Sequence, residues 1–204
     1  NARLVRLSTR GALRDWFYRH TSYGLKGVLS GVLHEINTRV DVLLLGYFLD
    51  DGAVGLYAFA SVLAEGFGQI PVAIRWNVDP IIGKHFSLGQ TDEIVEMARR
   101  LQRKLWPAMF LLGILAIAVY PLIPKLFLKG SGFGASWSIF GILICGLMIN
   151  AGYRPFMGLL LQGNRPGWHT LLVGGIISSN LVLNLILIPM MGVTGSALAT
   201  AMAF

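Results

Sequence analysis

Five apolar runs, each long enough to cross a bilayer, occupy positions 23–49, 53–82, 105–128, 135–161 and 168–190, and a sixth begins at Val193. A crossing helix takes about 20 residues. Inside hydrocarbon the backbone must satisfy its own hydrogen bonds, and runs of this length do so as helices. The expected fold class is therefore all-α: a polytopic integral membrane helical bundle with five complete transmembrane helices and the start of a sixth. Composition agrees, because 54% of residues are hydrophobic and only 13% are charged, whereas soluble domains are about one-quarter charged. A formal net charge of +7 raises nucleic acid as a partner. The basic residues, however, fall mainly in short gaps between apolar runs, which is where topology signals belong, so a phospholipid membrane is the expected partner and nucleic acid is not. Cys145 is the single cysteine, which removes an intrachain disulfide and any cysteine-based metal site. No metal or cofactor site is expected.

Residues 1–20 carry Arg3, Arg6, Arg10, Arg14 and Arg19, interleaved with Leu4, Leu7, Leu13, Trp16 and Phe17. This reads as a basic amphipathic cytoplasmic linker, either lying on an anionic leaflet or solvated and setting topology. Residues 21–204 form the expected transmembrane lobe. Arginines and lysines also gather in the gap 83–104 and at Arg165, so by the positive-inside rule these ends are cytoplasmic and Asp50 and Asp51 lie on the opposite side. Within that gap, TDEIVEMARRLQRKL opens with Thr91, Asp92 and Glu93 and spaces Ile94, Met97, Leu101 and Leu105 as a capped amphipathic helix. The chain starts at Asn1 without a signal peptide and stops inside an apolar pattern, and is expected to be an internal piece of a longer protein.

Charges inside the spans are the functional clue. Glu35 and Arg39 are four apart in the first span, with His34, Thr38 and Asp41 beside them. The second span carries Glu65, Gln69, Arg75, Asn77 and Asp79, and the fourth carries Asn150 and Arg154 just before Pro155. Buried charges in lipid face protein or water. Two readings stand: Glu35 with Arg39 and Arg75 with Asp79 are neutralised pairs that hold helices together, or several of these groups line a hydrated cavity that meets polar cargo. His34 is either a titrating residue or a hydrogen-bonded packing residue. Trp16, Tyr47, Trp106, Tyr120, Trp137 and Trp168 sit near span ends as interface anchors. Gly66, Gly68, Pro71 and Pro80 in the second span, and Gly152 and Pro155 in the fourth, are expected to break their helices.

The run RVDVLLLGYFLDDGAVGLYAFASVL resembles bacterial polysaccharide exporters and O-antigen flippases, in which an Asp-containing helix ends in a short turn and restarts with V-G-x-Y-x-x-A. The tail NLVLNLILIPMMGVTGSALAT is similar to a later signature of the same superfamily, N-x-x-L-I-P followed by G-x-A-x-A-T. That superfamily comprises the multidrug, oligosaccharidyl-lipid and polysaccharide exporters. The resemblance implies a two-lobed transporter, this chain being most of the second lobe. It also implies alternating-access export of a polyprenyl-pyrophosphate-linked oligosaccharide across the bacterial inner membrane, for O-antigen, capsule or exopolysaccharide. Polysaccharide polymerase and glycosyltransferase machinery would be its partners, and the chain itself would not be an enzyme.

On that reading Arg75 and Arg154 suit an anionic pyrophosphate, as does Arg39, while Asn37, Asn77 and Asn150 suit sugars. His34, Glu35, Arg39, Asp41, Glu65 and Asp79 are structural or coupling charges. Two rivals share the fold: a drug/cation antiporter using Glu35, Asp41 or Glu65, and a lipid II flippase. A rival of another class is an integral-membrane glycosyl- or acyltransferase with His34 as base.

Overall fold

The computed structural model describes residues 16–18, 20–21, 39–127 and 132–204. The chain divides into two compact units, 1–40 and 41–204. In the first, the His20 ring stacks on Trp16 with centroids 4.1 Å apart and its Nδ1 lies 2.8 Å from the Trp16 carbonyl.

The second unit is built from helices. After α1 (Val40–Phe48), the turn at Leu49 and Asp50 leads into α2 (Asp51–Ser87). Asp50 starts α2 as an N-cap, its carboxylate accepting the Ala53 N–H at 2.8 Å. Asp51 in the first turn, and Lys84 and His85 in the last, complement the helix dipole. At 37 residues α2 is about 55 Å long, well beyond the roughly 30 Å hydrocarbon core. The expected break at Pro71 and Pro80 does not occur, and α2 runs on through both. Each proline removes one backbone donor, at a local cost, and Pro71 is buried.

The amphipathic segment and the third span form one helix, α3 (Thr91–Val119). The cap position is Gln90, and no side chain caps it, so Thr91 is the first helical residue rather than the cap expected from sequence. Short α4 (Leu122–Phe127) follows, and a 3-10 turn (Gly132–Ala135) leads into α5 (Ser136–Asn150). The fourth span breaks as expected. A 3-10 turn at Arg154–Phe156 separates α5 from α6 (Leu159–Gln162), and the two halves are bent by 58°. The span α7 (Pro166–Met191) turns at Gly192 into α8 (Val193–Ala203). Gly192 has φ +60° and ψ −135°, a conformation only glycine adopts freely. A side chain on Gly195 would collide with the Leu187 carbonyl, so α7 and α8 pack backbone to backbone.

The core joins α1, α2, α5, α7 and α8 through Leu45, Tyr57, Ala60, Leu143, Ile144, Leu147, Ile188 and Ala197. A smaller cluster of Val78, Ile82 and Ile94, with Phe156 and Leu159 against it, packs the start of α3 onto the far end of α2 and onto α6. Outward-facing apolar side chains are left bare: Leu111 is 69% exposed, Ile114 61% and Leu171 67%. Water does not tolerate such faces over several turns, and lipid does. Among the described residues, three helices are long and apolar enough to span a membrane, and a fourth is added if the bent pair is one span. The protein is thus an all-α helical membrane bundle. Of the expected first span only Val40–Phe48 is described.

Candidate functional site

Helix α2 runs parallel to the broken span. Gly68 faces Leu147, Gly158 packs on Asp79, and Gly83 meets Gln162, so the two stay in step along their length. The closeness at Gly158 is such that a Cβ there would collide with the Asp79 carboxylate.

Arg154 leaves the 3-10 turn at the bend. Its backbone lies between the levels set by Leu147 and Gly158, yet its guanidinium reaches back to Gly68, where the Nη1 atom would lie 3.0 Å from a Cβ built on that glycine. The Phe204 ring closes the other side, with its centroid 5.2 Å from Cζ. An arginine near a membrane surface can extend its side chain toward the headgroups. Here it points the opposite way, away from the end of the molecule where Gln162 meets Gly83. Among the described residues no carboxylate pairs with it, so a permanently charged group is lodged between a glycine gap and an aromatic face.

Arg75 and Asp79 form the pair their spacing implies, with Nε 3.2 Å from Oδ2. Arg75 is therefore largely neutralised, and it lies about 10 Å along α2 from the Gly68 level where the Arg154 guanidinium sits. The other Asp79 oxygen, Oδ1, is buried against Gly158 with no donor among the described residues. Asn77 is exposed and turns back on its own helix, donating to the Ala73 carbonyl at 2.9 Å. Glu65 and Gln69 are exposed on α2, and Asn150 is half-buried where α5 ends. Arg39 is half-buried just before α1. His34, Glu35 and Asn37 lie outside the described residues, and with them the Glu35 to Arg39 pairing.

Asp41 has a different setting. Tyr57 donates a short hydrogen bond to its Oδ2, the Thr200 hydroxyl lies 3.5 Å from the same oxygen, and Oδ1 accepts the Val42 N–H at 2.9 Å. The Tyr57 and Thr200 hydroxyls are 3.2 Å apart. One turn before Thr200, the fully buried Ser196 donates to Asn184 Oδ1 at 2.7 Å, while Asn184 Nδ2 donates to the Asn180 side chain at 2.7 Å. These residues tie α1 and α2 to α7 and α8.

Tyr57, Asn180, Asn184, Ser196 and Thr200 were not singled out from sequence as site residues. The signal was nonetheless present: Tyr57 is the tyrosine of V-G-x-Y-x-x-A, Asn184 opens N-x-x-L-I-P, and Thr200 closes G-x-A-x-A-T. The two sequence blocks meet in space at this network.

Two curated proteins of Haloferax volcanii are similar to the chain. "Probable flippase AglR" is 31% identical over 193 residues, covering 89% of this chain and 38% of the relative. "Probable low-salt glycan biosynthesis flippase Agl15" is 26% identical over 195 residues, covering 90% of this chain and 39% of the relative. The chain thus spans about two-fifths of the length of these relatives. No family model matches the chain, and no solved structure does.

Proposed function

We propose that this chain is part of a flippase that moves a lipid-linked oligosaccharide across a membrane by alternating access, with Arg154 receiving the anionic head of the carrier lipid. The observation that carries the proposal is the placement of Arg154: charged, aimed into the bundle at a helix bend, and matched by no carboxylate among the described residues. Such a group is unfavourable in a membrane unless water or an anion meets it. A pyrophosphate presents pairs of charged oxygens that the planar guanidinium fork can bind bidentately. The names of the two relatives support the same reading.

A bacterial inner membrane and a polyprenyl-pyrophosphate carrier serving O-antigen, capsule or exopolysaccharide synthesis are what the sequence resemblance adds, together with polymerase and glycosyltransferase partners. On this reading Arg75 is held by Asp79 as a structural pair, and Asn150, at the end of α5 close to the bend, is the neutral group best placed for sugar. Asp41 and Tyr57 pin helices together rather than couple ions. The end bearing Lys84, Arg99, Arg100 and Arg165 faces the cytoplasm.

The test is translocation by the full-length protein in liposomes of a fluorescent polyprenyl-pyrophosphate disaccharide. Arg154→Lys keeps the charge and is expected to retain partial activity, whereas Arg154→Gln loses most of it at normal protein levels. Full translocation by Arg154→Gln refutes the proposal.

A further inference from the structure

At the bend, α5 ends by shortening its hydrogen bonds. The Tyr153 N–H turns to the Asn150 carbonyl at 3.0 Å, and the Phe156 N–H to the Tyr153 carbonyl at 2.9 Å. Pro155 has no N–H to offer. The Ile149 carbonyl is thereby deprived of the donor an unbroken helix would give it, and the Trp106 indole N–H from α3 takes that place, with Nε1 3.1 Å from the oxygen. The indole lies over the turn itself. A Cβ on Gly152 would be 2.8 Å from Trp106 Cε2, and the Tyr153 ring meets Trp106 edge to face at 5.5 Å. Leu105 and Met109, either side of Trp106 on α3, pack on Ala151 within the same turn.

The molecule uses the device twice. Pro121, just past the end of α3, cannot donate to the Ile117 carbonyl, and the Trp137 indole donates to that oxygen at 2.9 Å. Both tryptophans were expected to be interface anchors. Each indole also replaces a backbone donor lost at a helix break, which is how broken helices are tolerated at membrane depth. At Trp106 the break carries a functional side chain, since Arg154 is only two residues past Gly152.

We propose that Trp106 is a positioning residue: its indole latches the bend between α5 and α6 and so holds the Arg154 guanidinium in the gap between Gly68 and Phe204. This rests on the proposed role of Arg154 in binding a pyrophosphate lipid. Loss of the latch is felt as weaker capture of cargo rather than as loss of the fold, because the apolar packing of Leu105, Met109 and Ala151 remains.

The experiment uses the full-length protein in liposomes with a fluorescent polyprenyl-pyrophosphate disaccharide, comparing Trp106→Phe, Gly152→Ala, Arg154→Gln and the double variant Trp106→Phe with Arg154→Gln. In parallel, spin labels on the exposed Cys145 and on Leu161→Cys report the distance across the bend, any further cysteine being replaced. Trp106→Phe removes the donor and keeps a ring. It is expected to raise the apparent KM roughly tenfold with maximal rate little changed, and to broaden the interspin distance. Gly152→Ala, which pushes the indole off the turn, is expected to do the same. The double variant is expected to be no worse than Arg154→Gln alone, because Trp106 acts through Arg154. An unchanged interspin distance, a lowered maximal rate at unchanged KM, or additive losses overturn the proposal. Normal transport by Arg154→Gln overturns the cargo role alone, and the interspin distance still decides whether Trp106 latches the bend.

Discussion

At Tyr57 and at Gly68, about 16 Å apart along α2, polar side chains from elsewhere in the chain meet the same helix, and their surroundings differ. Around Tyr57 every group has its complement. Asp41 accepts from the phenol and from a backbone N–H, with the Thr200 hydroxyl against it, and Asn180, Asn184 and Ser196 continue the chain of bonds. At Gly68 the Arg154 guanidinium has an aromatic face and a vacancy where a side chain would otherwise be. A satisfied buried network rigidifies and specifies one packing, whereas a charge with no carboxylate partner among the described residues is favourable only where water, protein dipoles or an anion meets it. Under the proposed function, the difference separates a group that holds the bundle together from one that receives the anionic head of the cargo.

If the first half of that comparison is right, the largest stability loss comes from the network. Tyr57→Phe leaves the buried Asp41 carboxylate short of its strongest donor and is expected to cost about 2–3 kcal/mol, read as a lower melting temperature in detergent. Adding Asp41→Leu removes the orphaned carboxylate and should recover part of that loss, and strict additivity of the two would break the account. A smaller loss, about 1–2 kcal/mol, is expected for Gly158→Ala, which drives a methyl group into the Asp79 carboxylate. That variant also separates α2 from the broken span, so its melting should be measured beside its translocation.

The Arg75 to Asp79 pair lies between the two extremes. Its side chains are 31% and 18% exposed, so solvent discounts the attraction, and a double-mutant cycle with Arg75→Gln and Asp79→Asn is expected to give a coupling of roughly 0.5–1 kcal/mol. A coupling near zero would group Arg75 with Arg154, which no carboxylate pairs among the described residues. The smallest effect belongs to Glu96 and Arg100 on the exposed start of α3. Their hydrogen bond raises the Arg100 pKa above its ordinary value, but the guanidinium is fully solvated, and Glu96→Gln is expected to leave the melting temperature unchanged.

Much of this architecture is legible in the sequence because lipid imposes a length and a polarity on every span. The break at Gly152 and Pro155 was legible too, since two helix-weakening residues fall within one turn there. Pro71 and Pro80 misled for a physical reason: a single proline removes one hydrogen bond, and packing along the 37 residues of α2 outweighs it. The Asp41 network was hidden by distance in the chain, as Tyr57 and Thr200 lie 143 residues apart and meet only when α8 folds back along α2. Nor does spacing reveal which way an arginine points. Arg154 is close enough to the end of its span to reach water, and only the gap at Gly68 shows that it turns inward.

The most direct measurement is thermal melting of the full-length protein with and without a polyprenyl-pyrophosphate disaccharide, for wild type, Tyr57→Phe and Arg154→Gln. Anything that binds the folded state raises its stability in proportion to the logarithm of ligand concentration over Kd. Tyr57→Phe is predicted to start lower and to be stabilised by the lipid as much as wild type. Arg154→Gln is predicted to start at or above wild type and to show almost no stabilisation. A lipid-induced shift in Arg154→Gln equal to that of wild type would contradict the assignment of this arginine to the cargo.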